Sequence, residues 1–135
     1  MPQELIFIPM GAMALLTFTV LGLIPARRFR AVSSGRATAD DFKFGESDRV
    51  PGDVSIPNRN YMNLLELPML FYVGGLMYYV AGRLDEAALV VAWVYVALRT
   101  IHSVIHLSYN NVLHRLIPFA LSNFVLLAFW VLFFV

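Results

Sequence analysis

The sequence predicts an all-α integral membrane protein, a four-helix bundle. Three observations carry that prediction: four apolar segments long enough to span a bilayer, a composition poor in charge, and polar residues gathered toward one end of the segments. The chain is 59% hydrophobic and 14% charged, against about 25% charged in a typical soluble domain. Its 135 residues suffice for one domain. A formal net charge of +1 offers nucleic acid no excess of cations to recognise. There is no cysteine, which excludes disulfides, thiolate metal sites and a thiol nucleophile supplied by the protein.

The first segment, residues 5–24, is interrupted only by Pro9, two glycines and two threonines. It is long enough to cross ~30 Å of hydrocarbon at 1.5 Å per residue. A cleaved signal peptide would carry basic residues ahead of its apolar run. Here Glu4 precedes the run and Arg27, Arg28 and Arg30 follow it, so the segment is expected to stay as a membrane helix. Residues 25–57 are the one extended polar stretch, with charges alternating through Asp40, Asp41, Lys43, Glu46, Asp48 and Arg49. Their spacing lacks the calcium-loop pattern and reads as a solvated loop. Phe42 and Phe44 are expected to fold that loop back onto the membrane surface or its neighbours.

The second segment, residues 58–81, opens on Arg59-Asn60-Tyr61-Met62-Asn63-Leu64-Leu65-Glu66. On a helix Arg59, Asn63 and Glu66 fall within about 60° of one another. Pro68 removes the hydrogen bond to the Leu64 carbonyl and should kink the helix just past Glu66. After the turn at residues 82–86, the third segment, 87–109, carries Arg99, His102, Ser103, His106 and Asn110 along one helical stripe. The fourth, 116–135, is the most uniformly apolar. Most of the arginines lie in or beside the 25–57 loop, which places that loop in the cytoplasm and both termini on the opposite side.

Arg99 sits well inside its segment, where an unpaired charge costs ~2.5–3.5 kcal/mol. Glu66 is the one acidic residue inside a predicted span and is the expected counter-ion. A single intramembrane salt bridge would serve to fix helix register. Arg59, Asn63, His102, His106, Asn110 and Arg115 share the same depth, however, which is more polarity than one bridge needs. The expectation is a pocket between the second and third segments that holds a ligand with several charges. A metal held by His102 and His106 is disfavoured by the flanking arginines and by the missing H-E-x-x-H pattern.

The pattern Arg59-x-x-x-Asn63-x-x-Glu66 followed by Pro68, with Arg99-x-x-His102 in the next helix and Arg115 opening the fourth, resembles the MAPEG family, the membrane-associated proteins in eicosanoid and glutathione metabolism. The His102-Ser103-x-x-His106 run and the short chain look like its bacterial branch, hence a bacterial inner membrane. The resemblance implies a homotrimer among membrane lipids, binding glutathione between subunits near the cytoplasmic side. It assigns Arg59, Asn63, Glu66, Arg99 and His102 to glutathione binding, with Glu66 near the amine. It puts Arg115 near the sulfur, with His106 or Tyr109 assisting catalysis. The implied activity is a glutathione-dependent transferase or peroxidase acting on a hydrophobic electrophile. The alternative is a non-catalytic membrane protein that binds a lipid headgroup or other anion in the same pocket. The chain departs from the family's prostaglandin synthases, which carry a tyrosine at the place of His106. Met62 likewise stands where some relatives have an arginine.

Overall fold

A computed structural model describes residues 1–135, and every regular element in it is helical. A 3-10 turn at Gln3–Ile6 leads into α1 (Phe7–Ser33), followed by α2 (Gly52–Leu65), α3 (Pro68–Ala81), α4 (Glu86–Leu107) and α5 (Val112–Phe134). The helices α2 and α3 are two halves of one crossing. The chain therefore has four stretches long and apolar enough to span a membrane, Gln3–Ser33, Gly52–Ala81, Glu86–Leu107 and Val112–Phe134. The outward faces carry Phe18, Val80, Phe124 and Leu127, all well exposed, as a surface solvated by lipid requires. This is an integral membrane protein.

The first helix does not stop at residue 24. It runs through Pro25 and the arginines to Ser33, because its inner face finds partners there. Ala31 is buried in a small core with Ala37, Val50 and Val54, against which Phe42 packs. Arg27 donates from Nη1 to the Asp53 carbonyl and from Nη2 to the Leu107 carbonyl, each at 2.9 Å. That one guanidinium thus ties α1 to the start of α2 and the end of α4. The connection from 34 to 51 carries a 3-10 turn at Ala39–Phe42 and is well bonded. Thr38 N donates to Asp41 Oδ2 at 2.9 Å, Ser47 Oγ to Asp41 Oδ1 at 3.2 Å, and Arg36 grips Asp53 through two bonds of 3.0 and 2.7 Å. Phe42 also lies under the Arg28 guanidinium, 4.8 Å away, whereas Phe44 is 94% exposed.

Pro68 acts as its chemistry dictates. The helix α2 ends at Leu65, Glu66 takes a non-helical ψ of −102°, and α3 restarts with Pro68 in its first turn. A missing N–H costs nothing in a first turn. At the far end Gly82 adopts φ 63°, a left-handed geometry that costs glycine little. There Arg83 N returns to the Tyr78 carbonyl at 3.0 Å. Asp85 then caps α4 by accepting from Ala88 N at 2.8 Å. Gln3 pins this turn from the N-terminus, giving 3.2 Å to the Leu84 carbonyl and accepting 2.7 Å from Leu84 N.

The core is aromatic. Phe71 lies 4.8 Å from Tyr95, and Tyr78 lies 4.8 Å from Phe129 between ring centroids. The Tyr78 hydroxyl donates to the Phe129 carbonyl at 2.9 Å. Lipid supplies no hydrophobic drive between helices, so close packing of small residues has to hold them. Gly75 supplies such a contact, since a Cβ there would stand 2.6 Å from Met10 Sδ and 3.4 Å from Ile6 Cγ1.

Two predictions follow from this packing and this loop. Gly75→Val should destabilise by about 1–3 kcal/mol through overpacking. Gly22→Ala, whose Cβ meets nothing within 4 Å, should unfold at or above the parent temperature in dodecyl maltoside. The Thr38 amide, with help from Ser47 and the Arg49 charge, holds the Asp41 carboxyl below its ordinary range. A depressed carboxylate adds stability above the unfolded value of about 3.9 and loses it as pH falls through the lower folded value. Hydrogen-exchange protection of the Thr38 amide should therefore stay level from pH 7 to about 4 and collapse below it. Asp41→Asn should lower the protection and flatten this profile.

Candidate functional site

The polar residues of three helices converge at the end of the bundle where the arginines collect. Arg59 and Asn63 of α2, His102 and His106 of α4, and Arg115 of α5 share one pocket of about 250 Å³, closed by Val112, Leu116 and Phe119. The pocket contains two arginines and two histidines and no acidic residue.

Arg99 lies behind this pocket. It is fully buried, and its Nη2 donates to both the side-chain Oδ1 and the backbone carbonyl of Asn63. The Phe119 ring stands 5.5 Å from its Cζ, within the range of a cation–π contact. Its Nε and Nη1 find no partner in the subunit, nor do the neighbouring buried Tyr95 hydroxyl and Asn60 Nδ2. Below it Ser103 Oγ donates to Asn60 Oδ1 at 3.2 Å, a second polar tie between α2 and α4.

The expected Arg99–Glu66 ion pair does not form. The two salt bridges in the chain are Arg28–Glu46 and Arg36–Asp53. Glu66 falls on the exposed stripe of α2 with Arg59, Met62 and Leu65, so its carboxylate lies at the surface of the subunit and not between α2 and α4. The neutral Asn63, one turn earlier and still helical, takes the guanidinium instead.

His102 Nδ1 lies 3.0 Å from the Arg115 carbonyl oxygen. A carbonyl can only accept, so this nitrogen carries the proton, and in the neutral ring Nε2 is left as an acceptor. The His106 ring sits 5.7 Å from that of His102, with Nδ1 buried and unpartnered. Arg115 is aimed by Asn110, which accepts from Nη1 at 2.7 Å. Asn110 reaches it only because the chain turns sharply there, at φ 47°.

The structure thus brings Arg59, Asn63, His102, His106 and Arg115 to one pocket, with Arg99 against its wall. Tyr109 stands apart. The helix α4 ends at Leu107, and Tyr109 is 62% exposed with its hydroxyl 3.1 Å from His114 Nδ1. No cluster of three metal-ligating side chains occurs. Phe119 went unread in the sequence, although it stands one turn after Arg115 on α5 and so faces the same way.

Four membrane crossings, three of which line an acid-free pocket with two arginines at one end, define a membrane-embedded helical bundle. The chain belongs to the MAPEG family, whose model matches residues 6–135 and so takes in all four crossings. Neither curated proteins nor solved structures gave a significant match.

The Asn63 contact is open to test. Hydrogen bonds to a charged group contribute about 1.5–3 kcal/mol each, and a buried charge stripped of its partner is costly. Asn63→Ala should therefore lower stability by at least that amount in a denaturant titration in detergent. The double change Asn63→Leu with Arg99→Met, which removes the charge together with its partner, should recover most of the loss.

Proposed function

We propose that the protein is a glutathione-dependent membrane transferase, or a peroxidase of the same kind, acting on hydrophobic electrophiles that enter from the bilayer. The observation that carries this reading is the pocket itself, where Arg59, Arg115, His102, His106 and Asn63 converge in an acid-free space at one end of the crossings. Glutathione has two carboxylates for such guanidinium forks. The unpartnered, buried Nδ1 of His106 leaves a polar atom of the pocket wall for a ligand to meet. When bound, glutathione supplies the thiol chemistry that a cysteine-free chain lacks.

In this reading Arg59 and Asn63 hold the peptide from α2, and Arg99 keeps Asn63 in position. Arg115, aimed by Asn110, sets a positive charge beside the developing thiolate, where fixed charge stabilises it most. His106 takes the thiol proton. Glu66 is exposed at the surface of the subunit, and Arg59, which lines the pocket, is exposed at its rim. A carboxylate left against lipid at this depth is costly, so a neighbouring copy covers this face. That arrangement fits a homotrimer whose sites lie between subunits, with Glu66 meeting the glutathione amine across the interface. The arginine-rich end lies in the cytoplasm by the distribution of positive charge. Tyr109, at 62% exposure, joins the site only through such an interface.

A second reading is non-catalytic binding of a lipid headgroup or other anion in the same pocket. It is favoured by one observation: no hydroxyl group lines the pocket. Calorimetry with glutathione and an S-blocked analogue on the detergent-solubilised oligomer tests the first reading. Saturable micromolar to low-millimolar binding is expected, weakened about tenfold by Glu66→Gln. Arg115→Ala should abolish conjugation of a model aryl halide while the oligomer survives. Binding without conjugation in the parent protein would select the second reading, and no binding by an intact oligomer would sink the first.

A further inference from the structure

A second cavity opens at the same end of the bundle and shares no residue with the first. It encloses about 560 Å³ between the end of α1, the start of α2 and the end of α4. Arg27, Arg30, Ser34, Arg36 and Asp53 line it, with Leu107 and Ser108 behind. At about 30 Å³ per water molecule, it has room for a solvated headgroup rather than a few trapped waters.

Its charges do not cancel. Asp53 is the only acid in the lining, and Arg36 already holds both its oxygens. Arg27 spends both Nη groups on carbonyl oxygens, which orients the guanidinium without neutralising it. Arg30 makes no side-chain hydrogen bond or ion pair and is exposed to the cavity. Two net positive charges therefore face one space, one fixed in place and one free to close on a ligand.

The setting is interfacial. Phe29, next to Arg30, is 77% exposed, and Val32 on the following turn is also exposed. The outer flank of α1 is thus still apolar at the level where its inner flank presents arginines. Basic pockets between membrane helices at that level take phosphate headgroups, and guanidinium forks match phosphate oxygens two at a time.

We infer that the Arg27–Arg30–Arg36 cleft is an anion site for a phosphate group, carried by an acidic phospholipid or by free phosphate, separate from the His102–His106 pocket. Arg30 is the closing residue of this site and Arg27 its preset one. The Arg36–Asp53 pair acts as the wall that keeps the cleft open, since it leaves the carboxylate no charge to spare against the ligand.

The experiment uses the intact protein in dodecyl maltoside, titrated by calorimetry with short-chain phosphatidylglycerol, short-chain phosphatidylcholine and inorganic phosphate. Arg30→Gln removes the free charge without breaking any contact, and Ser34→Asp puts a negative charge into the cleft. Phosphatidylglycerol or inorganic phosphate should bind at least tenfold more weakly to each variant, with unfolding temperatures unchanged for Arg30→Gln. Phosphatidylglycerol binding that survives competing millimolar phosphate assigns the site to lipid. Displacement by phosphate assigns it to the free anion. Equal binding by parent and both variants, equal affinity for the net-neutral phosphatidylcholine, or no binding of either anionic probe would overturn the proposal.

Discussion

The contact on which the bundle depends is Arg99 against Asn63. A guanidinium fully buried between membrane helices has no water to turn to, and lipid offers no acceptor. Asn63 answers with two oxygens, one from its side chain and one from its backbone, and the Phe119 ring adds its face. Because both oxygens belong to one residue, the bond fixes the rotation of α2 against α4 as well as their distance. The Ser103–Asn60 bond, one turn along both helices, repeats the tie. With that register set, Arg59 and His106 are brought to opposite walls of the same pocket.

The register also explains why a neutral partner serves where a carboxylate was expected. A buried ion pair must recover the desolvation of two charges, whereas an amide asks for recovery of one. Glu66 is thereby released from structural duty and stands outside the subunit. An intramembrane carboxylate that the fold does not need is more informative about function than one that it does. The faces of α2 make this separation, with Asn60 and Leu64 buried and Arg59, Met62, Leu65 and Glu66 exposed. Asn63 reaches Arg99 from the edge of that stripe.

What the sequence disclosed and what it concealed divide along physical lines. The four crossings were legible because hydropathy over twenty residues is a strong signal, and the halt before Pro68 because a proline removes a specific bond. The inner pocket residues were legible from the helical stripe on α4. The continuation of α1 to Ser33 and the start of α2 at Gly52 were not, since they depend on tertiary bonds from Arg27 to two distant carbonyls. The end of α4 at Leu107, which leaves Tyr109 outside the helix, was not legible either. Helical periodicity was carried across position 108, where the backbone leaves the helix at ψ −105°.

The exits from α2 and α4 each lie just beyond the last pocket residue of the helix, Asn63 before the first and His106 before the second. The exit after α2 redirects the chain past Asn63, so that α3 starts afresh with Pro68 in its first turn. A longer α4 would carry Asn110 along the helix instead of around the turn that lets it hold Arg115. The Arg115 wall of the pocket depends on where α4 ends. The aim of that guanidinium is therefore a property of the backbone as much as of the side chains, since Asn110 holds Arg115 without itself lining the site.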